Sequence, residues 1–330
     1  MVRIGTYLLA FVLALLAAGP VAAEGSQFDI WLGPKLLRGD STYTIGGDFS
    51  DNQGNQGHVR NPLSELKWPL DLVLVSLGGR ADIGSFSVLG EITTNVTGDA
   101  GHMEDSDWGV YYDWSDGNPY FDPSSKDVFS TSTTDANALI ADIRGRYTVW
   151  QGARFSTAVG LGLRYQKFSI VASDLFQYSP TFYTYHLDTV FSSDPFAAVA
   201  NGPVIKYEVT YVIPFAELSG LYRFGTKVSL AGSLGYSPLV RAKDRDDHLL
   251  RSKLSEGSDH GSAWLFDLKL RLQATEHWFA ALGASGLFVD TSGTQNQSFY
   301  GGENAGYEDT IGQTITSSQL CGSLDIGYSF

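Results

Sequence analysis

The chain of 330 residues is short of several things. It has one cysteine, Cys321, which excludes an internal disulfide framework and any zinc site built on paired cysteines. It carries 22 Lys and Arg against 36 Asp and Glu, a formal net charge of −14. A nucleic-acid binder needs a cationic face to neutralise phosphate, so no nucleic-acid partner is expected. Beyond the N-terminal segment there is no apolar run of the ~18 residues that a membrane-crossing helix requires. Apolar residues are plentiful all the same. The chain is 43% hydrophobic and 13% aromatic with 37 Gly, too apolar for a disordered polymer.

Residues 1–23 read as a signal peptide. Arg3 supplies a positive start, Tyr7 to Ala18 an apolar run, and Val21-Ala22-Ala23 a small-residue cleavage site. Gly19-Pro20 interrupts the run and opposes the alternative, a membrane-anchoring helix. The remaining residues, 24–330, read as one domain without repeats or low-complexity tracts.

That domain alternates with period two, the signature of strands. In the last segment Leu320, Leu324, Ile326, Tyr328 and Phe330 share one phase, and Gln319, Cys321, Ser323, Asp325 and Ser329 the other. In 264–274, Trp264, Phe266, Leu268, Leu270 and Leu272 oppose Asp267, Lys269, Arg271 and Gln273. Residues 154–166 and 227–236 repeat the pattern, the latter with Tyr236 in the apolar phase. A soluble sandwich buries such an apolar face, whereas a membrane barrel turns it to lipid and keeps the polar face in the lumen. Alternating Lys, Arg and Asp suit a wet lumen, and many segments exceed the ~9–11 residues that cross a bilayer. The fold class is therefore all-β, a ten-stranded antiparallel transmembrane β-barrel with long extracellular loops. The strands fall at about 27–46, 64–83, 86–98, 136–150, 154–171, 204–224, 227–243, 263–274, 278–289 and 314–330. Short turns fall near 84–85, 151–152, 225–226 and 275–277, and long loops at 47–60, 102–135, 172–202, 244–260 and 290–309. Trp31, Trp68, Trp150, Trp264 and Trp278 lie near strand ends and read as an interfacial belt.

The long loops hold 22 Asp and Glu and only five basic residues, Arg60, Lys126, Arg245, Arg251 and Lys253. Such a surface is either merely solvated or a funnel for cationic ligands. Two clusters within it could carry chemistry. Met103-Glu104-Asp105-Ser106-Asp107-Trp108 puts two carboxylates on one strand face, where like charges raise a pKa and can position a water. Asp244-Arg245-Asp246-Asp247-His248 lets Asp246 orient His248. In isolation an Asp-x-Asp is more often a solvated pair, and an Asp-x-His is weaker still. There is no G-x-S-x-G elbow. The other histidines lack ligand spacing, so no metal is expected.

Taken together, these residues resemble the omptins, ten-stranded outer-membrane endoproteases of Gram-negative bacteria. The likeness spans nearly all of the domain. It includes Ser64-Glu65-Leu66-Lys67-Trp68, Met103–Trp108, Ala136–Val149, Pro214-Phe215, Tyr222-Arg223-Phe224, Asp244–His248 and the final Tyr328-Ser329-Phe330. The resemblance implies an Asp/His peptidase without cofactors, facing the cell exterior. Asp105 and Asp107 would be its aspartate couple, and Asp246 with His248 its Asp-His couple. A water between Asp105 and His248 would attack the peptide carbonyl. Omptins cut at basic residues; Asp244 matches an acid lining the pocket before the cut, and Asp40 matches a second across a one-residue gap. The family also binds lipopolysaccharide and needs it for activity. Tyr165-Gln166-Lys167 matches part of that site with Lys for Arg, and a second basic position falls on Thr210. Leu249-Leu250 stand where the family is polar. The implied partners are basic peptides, outer-membrane lipid and lipopolysaccharide. The rival readings are a non-catalytic barrel, an adhesin or small pore, and a lipid hydrolase. The seventh strand's alternation, continued from Tyr236, points Asp246 and His248 toward lipid. A register shift is therefore expected before them, with Pro238 as its marker.

Overall fold

The computed structural model describes residues 27–108, 128–178 and 197–330. The signal-peptide segment and the centres of two long connections lie outside the described residues. Twelve strand segments form one antiparallel sheet. They are β1 (Gln27–Asp51), β2 (Gln56–Pro69), β3 (Leu72–Ile83), β4 (Phe86–Asn95), β5 (Asp99–Asp107), β6 (Val128–Gln151), β7 (Phe155–Tyr178), β8 (Ala197–Arg223), β9 (Val228–His248), β10 (Lys253–Gln273), β11 (Trp278–Phe299) and β12 (Glu308–Ser329). Pairing of β12 with β1 closes the ring, which leaves no edge to aggregate or to face lipid unpaired.

Twelve segments make ten staves. β2 and β3 lie end to end along β1, and β4 and β5 lie end to end along β6. β2 and β3 cover the expected strand 64–83, interrupted at Leu70-Asp71, whereas β4 fills the expected strand 86–98 and β5 extends the same stave past residues 96–98 into the expected loop. The staves also run further than the alternation suggested. Most of 244–260 and 290–299 is strand, and β9 and β10 are joined only by a single 3-10 turn, Leu249–Arg251, and Ser252. Both acidic clusters therefore lie on strands rather than in loops.

The faces follow the alternation. Leu161, Leu163, Leu234, Leu268, Leu324 and Ile326 are exposed on the outside, whereas Gln319 and Asp325 are buried within. At the level of this apolar band the lumen is polar and internally paired. Arg144 donates to Asp142 and Asp267 at 2.6 Å each, Arg146 to Glu217 at 2.5 Å and Arg164 to Asp142 at 2.9 Å. Lys269 meets Asp325 at 2.9 Å. A cavity of about 440 Å³ lies among these charges near the short turns, and no candidate site residue borders it. The turns are as expected; Gly84 sits at φ 59°, where a side chain would be strained.

Two of the five belt tryptophans are interior instead. Trp31 donates to Glu91 at 3.0 Å and lies under the Lys269 ammonium. Trp68 is 0% exposed and stacks on Tyr207 across the lumen, with ring centroids 4.6 Å apart. In both cases strand phase, not distance from the strand end, decides the direction. Trp150, Trp264 and Trp278 do face outward.

The register shift lies around Pro238. Against β8, five β9 steps from Tyr236 to Arg241 match four from Ala216 to Val212. Against β10, three β9 steps from Ser237 to Val240 match two from Ala263 to Gly261. Both neighbours thus assign one extra residue to β9. Pro238, which has no N–H to donate, and Leu239 are consecutively exposed, and beyond them Val240, Ala242, Asp244, Asp246 and His248 all turn inward.

Candidate active site

The site lies in the lumen beyond the apolar band, at the end opposite the short turns. β9 supplies Asp244, Asp246 and His248, buried in successive inward positions. β5 supplies Asp105 and Asp107, held by β2 through the Leu66–Asp105 and Ser64–Asp107 pairs. These strands lie on different sides of the ring. Contacts across the lumen draw the two sides together. Besides the Trp68–Tyr207 stack, Ser41 on β1 bonds Tyr211 on β8 at 2.7 Å. Gln166 on β7 donates to Gln319 on β12 at 3.0 Å. The Tyr43 hydroxyl on β1 donates to Asp246. An aromatic stack of this kind adds about 0.5–1.5 kcal/mol beyond its buried area.

His248 Nε2 lies 2.8 Å from Asp246 Oδ2, and Arg251 Nη2 lies 3.1 Å from His248 Nδ1. A guanidinium can only donate, so Nδ1 is the acceptor and Nε2 carries the proton to Asp246. Burial favours the neutral ring, Asp246 opposes it, and the Arg251 and Lys253 charges add to burial, leaving His248 at about 4. Burial pushes Asp246 up, but His248, Tyr43 and Lys253 more than offset this and hold it ionised. A neutral imidazole beside an aspartate is a general base whose developing cation is already matched.

Asp105 behaves in the opposite way. Burial, then the charges of Asp107 and Asp246, raise its carboxyl well above the usual range, while Arg251 and Lys253 pull against them. Its Oδ1 has no protein partner. A protonatable carboxyl within electrostatic reach of a neutral His and an ionised Asp suits holding and steering a water. Burial raises Asp244 to about 7, against the bond it accepts from Gln313 Nε2 at 3.0 Å.

Asp105, Asp107, Asp244, Asp246 and His248 thus converge. Asp40 does not. On β1 the inward phase belongs to Leu37, Ser41, Tyr43 and Ile45, so Asp40 points outward, with its Oδ2 3.9 Å from Lys67. Lys253, Tyr43, Tyr207 and Trp68 also line the site, and the clusters alone did not reveal them. Lys253 lies directly opposite His248 on β10, buried and lowered to about 8 chiefly by burial. Reading 244–260 as loop hid its inward phase.

Comparisons with known proteins point to one family and to the fold. The model described as the Omptin family matches residues 55–277. The crystal structure of the outer membrane protease OmpT from Escherichia coli superposes with a TM-score of 0.71 at 16% identity, covering 92% of this chain and 97% of that one. At that identity the likeness speaks for the fold. The outer membrane protein OprG from Pseudomonas aeruginosa covers similar shares, 92% and 96%, but with a TM-score of 0.38 and 12% identity it carries no argument. No curated protein matches the sequence.

Proposed function

The chain belongs to the omptin family of outer-membrane proteases, and from that membership we propose an endopeptidase, facing the cell exterior, that cuts basic peptides and proteins by an Asp/His-activated water. One observation carries the reading. A buried, neutral His248 is held by an ionised Asp246 at 2.8 Å, in the electrostatic field of Asp105.

In the proposed reaction a water sits between Asp105 and His248, with Asp107 assisting. Substrate binding frees His248 Nδ1 from the exposed Arg251 side chain. The water attacks the scissile carbonyl carbon and passes its proton to Nδ1, and Asp246 balances the imidazolium. That proton then goes to the leaving amine, so no covalent enzyme intermediate is needed. Asp244, two residues before Asp246 on the same face, receives the basic side chain preceding the cut. Lipopolysaccharide is a proposed activator. Lys167, Arg241 and Lys243 point outward on β7 and β9 just beyond the apolar band, in place to meet lipid phosphates.

The test is cleavage of a quenched peptide centred on Arg-Arg by refolded protein, with and without lipopolysaccharide. Cleavage is expected, poor cleavage when Ala replaces both arginines, and none by His248→Ala. Equal cleavage by His248→Ala protein sinks the mechanism, and no cleavage of any basic peptide favours a non-catalytic barrel.

A further inference from the structure

We propose that Lys253 is a catalytic residue of this site, whose ammonium donates to the negative oxygen that forms when water attacks the scissile carbonyl. The inference rests on the peptidase reading above and assigns a partner to the one charge that the reading leaves unmatched.

The charges of the proposed step set the requirement. As the water oxygen bonds to the carbonyl carbon, the carbonyl π pair moves onto its oxygen and leaves it negative. The water's proton goes to His248, and Asp246 matches that new cation at 2.8 Å. The new anion has no such match. It forms among carboxyl groups, since Asp107 and Asp246 already bear on Asp105. An oxyanion in a water-excluded site needs a fixed donor aimed at it, and such a donor is usually the largest single contribution to the rate.

The charges of Arg251 and Lys253 reach both Asp105 and His248, but the two are not equivalent. Arg251 stands exposed on the turn after β9 and bonds His248 Nδ1 at 3.1 Å, a bond that must open before Nδ1 takes a proton. Lys253 can stay where it is. It is the register partner of His248 on the neighbouring strand, and both turn inward. The Cβ atoms of such a pair lie about 4.5–5.5 Å apart, so imidazole and ammonium share one level of the lumen. Lys253 is 8% exposed and His248 5%, so a substrate that reaches the base also reaches the lysine.

The ammonium is free to act. Lysine is almost never buried unless paired. Among the described residues, however, Lys253 Nζ bonds only the neutral Gln297 Oε1, at 3.3 Å. Two of its three N–H donors are therefore open. Ser255, the next inward residue of β10 and the partner of Asp246, also has a hydroxyl without a bond. The wall of β10 beside the base thus presents donors that the chain itself does not use. Asp246, Asp107 and Asp309 act on Lys253 from beyond ion-pair distance and favour its charge, while burial and Arg251 oppose it, so that the proton is lost at about 8.

The test uses the refolded full chain, the quenched Arg-Arg peptide and two inhibitors of the same sequence. One carries a phosphinate at the cut, tetrahedral and anionic, and the other a hydroxyethylene, tetrahedral and neutral. Lys253→Met keeps the length of the stem and removes the charge. It is expected to lower kcat about 10²- to 10³-fold with KM within about threefold, and to weaken the phosphinate in parallel but not the hydroxyethylene. Lys253→Arg should recover part of kcat. An active Lys253→Met protein with unchanged kcat and phosphinate affinity overturns the proposal and leaves the peptidase reading intact. Equal weakening of both inhibitors, the mark of a merely structural role, overturns it too. If Lys253→Met does not fold, the wild type decides. Its preference for phosphinate over hydroxyethylene should be lost as pH rises through about 8, since only the protonated amine holds the anion. Both inhibitors share the titration of Asp244, so the ratio cancels it, and Lys253→Arg, whose charge does not titrate, should hold the ratio constant. A constant wild-type ratio, or the same loss in Lys253→Arg, overturns the proposal. If the wild type cuts no basic peptide, the parent reading fails and the role of Lys253 falls with it.

Discussion

At the scale of single residues, the site separates its titrations. His248 is driven to about 4 by burial, with Arg251 and Lys253 adding to it, while Asp244 is driven up to about 7 by burial. The sign follows for each. In the proposed reaction His248 acts as a base only when unprotonated, so competence is expected above about 4. In the same proposal Asp244 attracts a cation only when ionised, so capture of a basic substrate is expected to strengthen as pH rises through about 7. Capture appears in kcat/KM, and the base of the bound complex in kcat. Arg251→Ala removes a cation that opposes protonation of His248. The titration of His248 in the substrate-free protein is therefore expected to move upward by about one pH unit, read by NMR of the labelled imidazole. An unmoved titration would show that Arg251 does not touch His248 in the free enzyme. Asp246 and His248 could be read from sequence because one strand face holds both. Arg251 could not, since a residue after a strand end points where the turn sends it, and only the left-handed Ser252 fixes that turn.

At the scale of elements, the decisive feature is the phase of β9 past its extra residue. A one-residue slip sends every following side chain to the other face, so the phase beyond Pro238 determines whether Asp244, Asp246 and His248 face the lumen or the outside. Deleting Pro238 alone removes the extra residue and leaves all three inward, whereas deleting both Pro238 and Leu239 reverses the phase that follows Tyr236 and should expel all three. The doubly deleted barrel should still fold, because most of the β9 ladder can re-pair, yet peptide cleavage should fall to background. Pro238→Ser keeps the extra residue and should keep most of the activity. Heat-resistant migration on gels reports folding and the quenched peptide reports function. A double-deletion protein that folds and still cleaves would refute the role given to strand phase here. The strand phases that predict this bulge came from the sequence, as did closure into ten staves and the four short turns. The interruptions at Leu70-Asp71 and 96–98 did not, because a strand broken in the middle keeps its alternation on either side. Nor did the inward turn of Trp31 and Trp68, because nearness to a strand end does not fix the phase that decides which face a side chain takes. Asp40 was misplaced for a related reason: alignment across a gap does not conserve parity, and parity determines which face a strand residue occupies.

At the scale of the whole molecule, the charge of −14 is unevenly distributed. At the level of the apolar band the lumen's cations and anions pair with one another, so they cast little field beyond a few ångströms. Among the described residues, the five segments expected as long connections carry 16 acidic residues against four basic ones, at the end of the barrel opposite the short turns. The long-range field of the protein is therefore that of its mouth, and it is negative. Such a field raises the encounter rate of a cationic peptide without altering the chemistry that follows. It is also the part of the mechanism most open to screening, since the Debye length contracts from about 30 Å at 0.01 M salt to about 8 Å at 0.15 M. For a peptide carrying several basic residues, kcat/KM should fall by roughly ten-fold over that range while kcat stays nearly constant. A peptide with the same residues at the cut but acidic flanks, and no net charge, should lose little. The two dependences separate steering by the mouth from recognition in the pocket, because the buried carboxyl of Asp244 is shielded from bulk ions by the barrel wall. Equal salt dependence for both peptides would place the electrostatic contribution in the pocket alone and leave the acidic mouth as a solvated surface.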